Sequence, residues 1–473
     1  MGVKILNIQQ PLLFTKIADL CQAITWYGLL VLIGYASFLF GGYGSAPWLV
    51  FSGYFYFWVC FSVVIFGFTG RINRNAIKSA KSIIVLMLLS LFWLWLQLYM
   101  PYEHAIYDAL ARPARSGFQA PNWYNPLVSW SVTPQRTRWL LMSELMMFCL
   151  FFATLSTLDS RRRLKQLLAL ILVVGLSHAV IGLFGQYTKT IFVDAKQVDG
   201  HFSVARGLFV NRNHYAAFLV LTLFGGLAYQ FKLMLSRHSS SFKQLLLLHI
   251  NFRHMFILTL VAVITVGVVS SQSRAPVLSL AVALILAFII VGTDHFRNKR
   301  VIIIPLFIVG ALAFVYFGEQ LLARLGSEAL SLGERWDQWL ITFKAINANL
   351  FLGYGGGSYI TVFQIFRDQT ELRDVVFAQS HNHYLHLWLE RGLIGLVLWL
   401  AVFFLIIQRA KNLLPNIKSN LVGGVVFSAL VVVLAALVQS FVDYNLQMLN
   451  IRAYFFIIVA IMFASPHIKH ERS

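Results

Sequence analysis

The stretch "AQSHNHYLHLWLERGLIG", residues 378–395, gathers His381, His383 and His386 directly before an apolar run. A neutral imidazole takes a proton from a hydroxyl near neutral pH, which suits a general base. His381 is followed by Asn382, an amide placed to orient a ring or a sugar hydroxyl. As metal ligands the three are poorly spaced. On a helix His383 and His386 share a face while His381 points elsewhere, and neither H-x-x-x-H nor H-E-x-x-H occurs. Interfacial polarity accounts for His383 and His386, and Glu390 is spaced to pair with His386. His381 is the histidine to which function is assigned.

Arginines are the second candidate set. Arg206 and Arg212 occur in "SVARGLFVNRNHYAAF", Arg274 in "VSSQSRAPVLSL", and Arg335 in "GERWDQWLITFKAINANLF". A guanidinium keeps its charge and forks onto phosphate oxygens; at a membrane boundary it also snorkels to lipid headgroups. Arg274 stands out because a two-span hairpin needs no charge at its tip, and Ser270, Ser271, Ser273 and Ala275 around it are small. Asp368, Glu371 and Asp374 are interleaved with Arg367 and Arg373 and read as a solvated, self-paired helix face. Glu144 falls inside an apolar run and is expected to face the bundle interior. Asp443, in "SFVDYNLQM", is placed to support an arginine. "GYGGG" is followed by no G-K-[ST], so it reads as a tight turn and not a phosphate loop. Trp123, Tyr124, Trp130, Trp336 and Trp339 either pack or stack on sugars.

These residues need elements to hold them, and composition names the medium. Of 473 residues 59% are hydrophobic and 12% charged, with mean hydropathy +0.72. Lipid can solvate that much apolar surface and water cannot. The pattern predicts an all-α polytopic membrane protein with twelve spans, at 23–42, 46–68, 82–100, 139–157, 166–186, 214–231, 255–272, 275–293, 301–318, 390–408, 421–441 and 449–465. The opening "MGVKILNIQQPLLFTKIADL" shows no removed signal peptide. Cys21, Cys60 and Cys149 lie in or beside apolar runs and suggest neither disulfides nor zinc.

The net charge of +20 is a topology signal. One alternating set of connections, with the two tails, holds 22 of the 38 Lys and Arg and only four acidic residues. That set is cytoplasmic, with both termini. Nucleic acid is not an expected partner. The outer connections are then 43–45, 101–138, 187–213, 273–274, 319–389 and 442–448. The largest, 319–389, is expected to form an outer subdomain on a single membrane domain, 1–473, and the histidines close it.

"RGLFVNRNHYAAFL", "SSQSRAPVLSLAVAL", "ERWDQWLITFKAINANLFLGYGGGSY" and "SHNHYLHLWLERGLIGLVLWL", in that order, resemble successive motifs of the bacterial O-antigen ligase and polysaccharide polymerase superfamily over roughly 200–405. "SFVDYNLQM" is also similar to members of this group. The resemblance implies a GT-C-like, metal-independent glycosyltransferase of the inner membrane, with no cofactor and with 319–389 periplasmic. It implies inverting transfer of a glycan from undecaprenyl diphosphate to an acceptor hydroxyl at the periplasmic face. The acceptor is a growing glycan, lipid A-core or, alternatively, a protein. Position by position, Arg206 and Arg274 match the family's diphosphate-binding arginines, His381 the base of its H-N motif, and Arg335 a loop arginine. Gln379 stands where many relatives carry an additional histidine. Twelve spans also suit a transporter or lipid flippase, which would place charge deep along a broken-helix path.

Overall fold

The computed structural model describes residues 12–38, 72–100, 129–190, 204–234, 252–291, 329–367, 377–416 and 419–468. Among them the regular structure is helical: α1 Leu12–Ala36, α2 Arg74–Ser79, α3 Lys81–Tyr99, α4 Pro134–Thr157, α5 Arg161–Thr188, α6 Arg212–Met234, α7 Phe252–Ser270, α8 Arg274–Val291, α9 Ala329–Ala348, α10 Tyr359–Phe366, α11 His383–Leu413, α12 Asn420–Gln439 and α13 Leu449–Ala464. Nine helices among the described residues are long and apolar enough to cross a membrane. The expected spans 46–68 and 301–318 lie outside the described residues, as do Trp123, Tyr124, Cys60 and the triplet Asp368, Glu371 and Asp374.

Local chemistry sets several helix starts. Asn73 accepts from Ala76 N at 3.1 Å, Ser160 accepts from Arg163 N at 3.4 Å, and Pro134 occupies the first turn of α4. These side chains satisfy donors that a helix N-terminus leaves open, and proline has none to satisfy. The two largest differences from the expected boundaries are both at helix starts. α1 begins at Leu12 and not at 23, with Lys16 and Asp19 exposed on its first turns. Helix formation there needs no apolar run, so hydropathy missed it. α11 begins at His383 and not at 390, for a reason that belongs to the site.

α12 and α13 are buried along nearly their whole length. α12 packs on α6 and α8, α13 on α4 and α6, and α5 on α6 and α7. Outer helices keep one apolar face open. On α8 that face is Leu278, Val282, Ile285 and Ile289, all exposed at helical spacing. With backbone groups satisfied inside the helix, hydrocarbon can cover such a stripe. Ends assigned to one side by charge also meet in space. Ala205 N donates to Ser270 O at 3.0 Å and His383 N to Ser440 O at 2.9 Å, joining outer ends. Asn73 Nδ2 donates to Leu158 O at 2.8 Å, joining inner ones. A second, smaller apolar cluster around Ile341, Tyr354, Tyr359, Phe363 and Leu389 lies under the outer segments.

Candidate active site

Gly392 breaks α11, with φ 67° and ψ −176°. Glycine takes that conformation without steric cost, and a Cβ there would overlap the carbonyl of Phe351. The backbone groups freed by the break are met from outside the helix. Leu393 N donates to Leu350 O at 2.9 Å, Tyr354 N to Leu389 O at 3.1 Å and Gly355 N to Glu390 O at 2.9 Å. From α3, Gln97 Nε2 donates to Glu390 O at 3.1 Å and Trp93 Nε1 to Arg391 O at 2.8 Å. The "GYGGG" segment is thus the tight turn expected, with positive φ at Gly353, Gly355 and Gly357, and its task is to dock on the break. Residues 383–391 form an arm folded across the rest of α11. The rings of His383 and Trp399 are 5.9 Å apart, where a straight helix would separate those positions by about 24 Å.

His381 sits at the root of this arm, pinned from both sides. Asn382 Oδ1 caps the arm, accepting from Tyr384 N at 3.0 Å and Leu385 N at 3.1 Å. Trp339 Nε1 of α9 donates to Ser380 O at 2.9 Å, and Ser380 Oγ donates to Asn382 O at 2.6 Å. Between these anchors His381 has φ 48°, a left-handed conformation that costs a non-glycine residue about 1–2 kcal/mol. Its ring lies 5.3 Å from that of Tyr444, which is 4.9 Å from His214. His214 Nε2 approaches Asp443 Oδ1 at 3.9 Å, a charge contact longer than a hydrogen bond. Asp443 therefore meets an imidazole, where the sequence suggested an arginine. Burial holds the His381 pKa below the usual histidine value. The Asp443 carboxylate opposes that shift, and Arg335 and His214 add to it. The imidazole is neutral at neutral pH and buried Nδ1 has no hydrogen-bond partner, as a proton acceptor requires.

Beside this cluster a cavity of about 510 Å³ brings Arg212, Arg274 and Arg335 together. Arg212 and Arg274 are the first residues of α6 and α8. The open N–H groups and positive dipole ends of two helices therefore reinforce three guanidiniums. Ser273 Oγ donates to Asn213 Oδ1 at 2.8 Å and ties the two helix starts to each other. The lining continues along α8 from Arg274 to the exposed apolar side chains Leu278 and Val282, with exposed Phe441 beside them. Arg335 links the two features, since it lines the cavity and is also the cation that His381 senses. Arg206 does not line it. It is buried on the turn behind, donating from Nη1 to Val210 O at 3.4 Å, and that turn is bonded to the α7–α8 hairpin.

Residues 258–400 match the family model described as O-antigen ligase. Over that stretch the chain is similar to the O-antigen ligases. No curated protein matches the chain. The family implies glycan transfer of the ligase or polymerase type by a multi-pass membrane protein. Within the matched stretch fall Arg274, Arg335, His381, Asn382 and the break at Gly392. Arg206, Arg212, His214 and Asp443 lie outside it.

Sequence reasoning passed over three participants. His214 was visible two residues after Arg212, without any sign that it would meet Asp443. Arg391 and Arg452 converge on Glu144, at 2.6 Å and 2.9 Å, and Arg452 also donates to Ser143 Oγ at 2.7 Å. Glu144 faces the bundle interior as expected. The available signal was Glu144 and Arg452 in apolar runs, opposite charges that lipid would not tolerate singly. His386 Nε2 and Glu390 Oε1 make the expected pair at 3.0 Å. The pair is buried inside the protein, not at the lipid interface, because the arm folds inward. Trp130 is buried with its indole bonded to Gly353 O at 3.1 Å, so it packs, while Trp336 is exposed.

Proposed function

We propose that the protein transfers a glycan from undecaprenyl diphosphate to an acceptor hydroxyl at the periplasmic face of the inner membrane, with both termini cytoplasmic. One observation carries this reading. The cavity joins three arginines to an exposed apolar wall, and Arg335 connects it to a half-buried neutral imidazole. An anionic headgroup attached to a hydrocarbon chain is the ligand that meets both halves. Arg212, Arg274 and Arg335 hold the diphosphate, and the isoprenoid lies along Leu278 and Val282. Arg206 holds the turn behind Arg212, and Asn382 holds His381 in place through its cap.

His381 takes the proton of the acceptor hydroxyl. The acceptor oxygen forms a bond to the anomeric carbon as the carbon–oxygen bond to the diphosphate breaks, in line, with inversion. The lipid diphosphate leaves as an anion stabilised by fixed cations, without a metal and in the manner of GT-C-like enzymes. Asp443 stabilises the imidazolium as it forms. The reading embraces a ligase and a repeat-unit polymerase, which differ in acceptor alone.

The test is transfer from a lipid-diphosphate glycan by membrane-inserted His381→Ala and Arg274→Ala proteins. Each is expected to lose about 10²–10³ in turnover. Transfer at the wild-type rate by either variant removes the role assigned to that residue.

A further inference from the structure

A second cavity, of about 340 Å³, is lined by the histidine arm. Its volume falls in the ~300–1,000 Å³ range of ligand pockets. Much of its polar lining is not used by the fold. His383 is 4% exposed, and neither of its ring nitrogens has a hydrogen-bond partner. Trp399 Nε1 and Gln379 Oε1, in the same lining, are also buried without partners. Buried donors and acceptors left unmet are costly and rare, so this set points to a guest that meets them.

The chemistry of the lining selects the guest. Glu144 takes Arg391 and Arg452, Glu390 takes His386, and exposed Arg136 adds a further cation to the lining. So polar a lining repels a hydrocarbon chain. The unmet groups include an indole donor, an amide acceptor, the two ring nitrogens of His383, His386 Nδ1 and the Nε donor of Arg391. Hydroxyl groups, each donor and acceptor at once, fit that mixture.

Position adds the role. Gln379 and His383 line this cavity and flank His381 in the chain, while Leu446 and Gln447 line it just beyond Asp443 and Tyr444. The arginine cavity takes Arg335, Phe441 and Val442. Asp443 and Tyr444 therefore lie in the chain between residues of the two linings, and the His381 ring is 5.3 Å from that of Tyr444. We infer that the second cavity is a saccharide subsite that presents the acceptor hydroxyl to His381. Its acceptor role rests on the proposed reading of the arginine cavity.

The experiment uses the full chain in lipid nanodiscs. The probe is the oligosaccharide released by mild acid from the surface polysaccharide of the cell that makes the protein, with binding read by saturation-transfer NMR. Wild type is expected to bind it, and Gln379→Ala and Trp399→Phe to bind about tenfold more weakly, as loss of a single hydrogen bond gives. Both variants are expected to bind undecaprenyl diphosphate as wild type does, which shows that they are folded. Saccharide binding that is absent from wild type, or unchanged in both variants, overturns the subsite. Variant-dependent saccharide binding without transfer from the lipid diphosphate upholds the subsite and overturns the donor reading instead.

Discussion

A half-buried imidazole whose proton affinity is set by its neighbours makes the pH profile a readout of the site. The His381 pKa lies below the ordinary histidine value, with Arg335 lowering it and Asp443 raising it. A base works in its neutral form, so turnover is expected to rise with pH through a value under about 6.5 and be flat at neutrality. The two charged neighbours then move that limb in opposite directions. Arg335→Gln removes a cation, raises the pKa and shifts the limb to higher pH, besides weakening donor binding. Asp443→Asn removes an anion, lowers the pKa and shifts the limb to lower pH. Rates measured across pH 4–8 for both variants check the signs, and parallel shifts would show that His381 is not the group titrating. The left-handed backbone of His381 belongs to the same description. Strain at one residue is tolerated because Ser380, Asn382 and Trp339 over-determine its place.

At the scale of elements, the break in α11 turns a membrane span into a site. The arm 383–391 carries His383, His386, Glu390 and Arg391 inward only because Gly392 lets the chain reverse against residues 350–355. Gly392→Ala places a Cβ on the Phe351 carbonyl in a backbone conformation alanine avoids. It is expected to destabilise the protein by more than ~1 kcal/mol and to lower turnover, with the arm and its cap displaced from α9. The buried charge group imposes a second test on the elements. Glu144 is the shared carboxylate of Arg391 on α11 and Arg452 on α13, so it ties three helices. Glu144→Ala leaves two buried guanidiniums without it and is expected to cost about 3–5 kcal/mol. Buried Cys149 supplies the assay, since a thiol-reactive dye reports its exposure on heating. An unchanged melting temperature would deny the network its structural part.

For the whole molecule, sidedness decides whether the site can meet a lipid-linked glycan outside the cell. In a cysteine-free background, Ala378→Cys is expected to react with a membrane-impermeant maleimide in intact cells, and Arg162→Cys only after lysis. Both positions are exposed. The reverse pattern would put the arginine cavity in the cytoplasm and end the proposed chemistry.

The sequence by itself determined the medium and the outline. Apolar runs of span length, broken by basic connections, dictate helices in lipid and their alternation, and the ends of α3 and α13 fall within a residue of expectation. It also exposed the arginines and His381, because charge and imidazole beside apolar runs need a reason. Tertiary structure alone decided which of them meet. Arg212 and not Arg206 shares the cavity with Arg274, since a turn aims one side chain into the space and the other behind it. The pairs His214–Asp443 and Glu144–Arg452 join residues hundreds of positions apart. No local pattern encodes such pairs, because helix packing brings them together and a spacing rule sees only neighbours on one helix. The fold of the arm at Gly392 was hidden for the same reason. A glycine in an apolar run is compatible with a straight helix until residues 350–355 supply partners for the backbone that the break sets free.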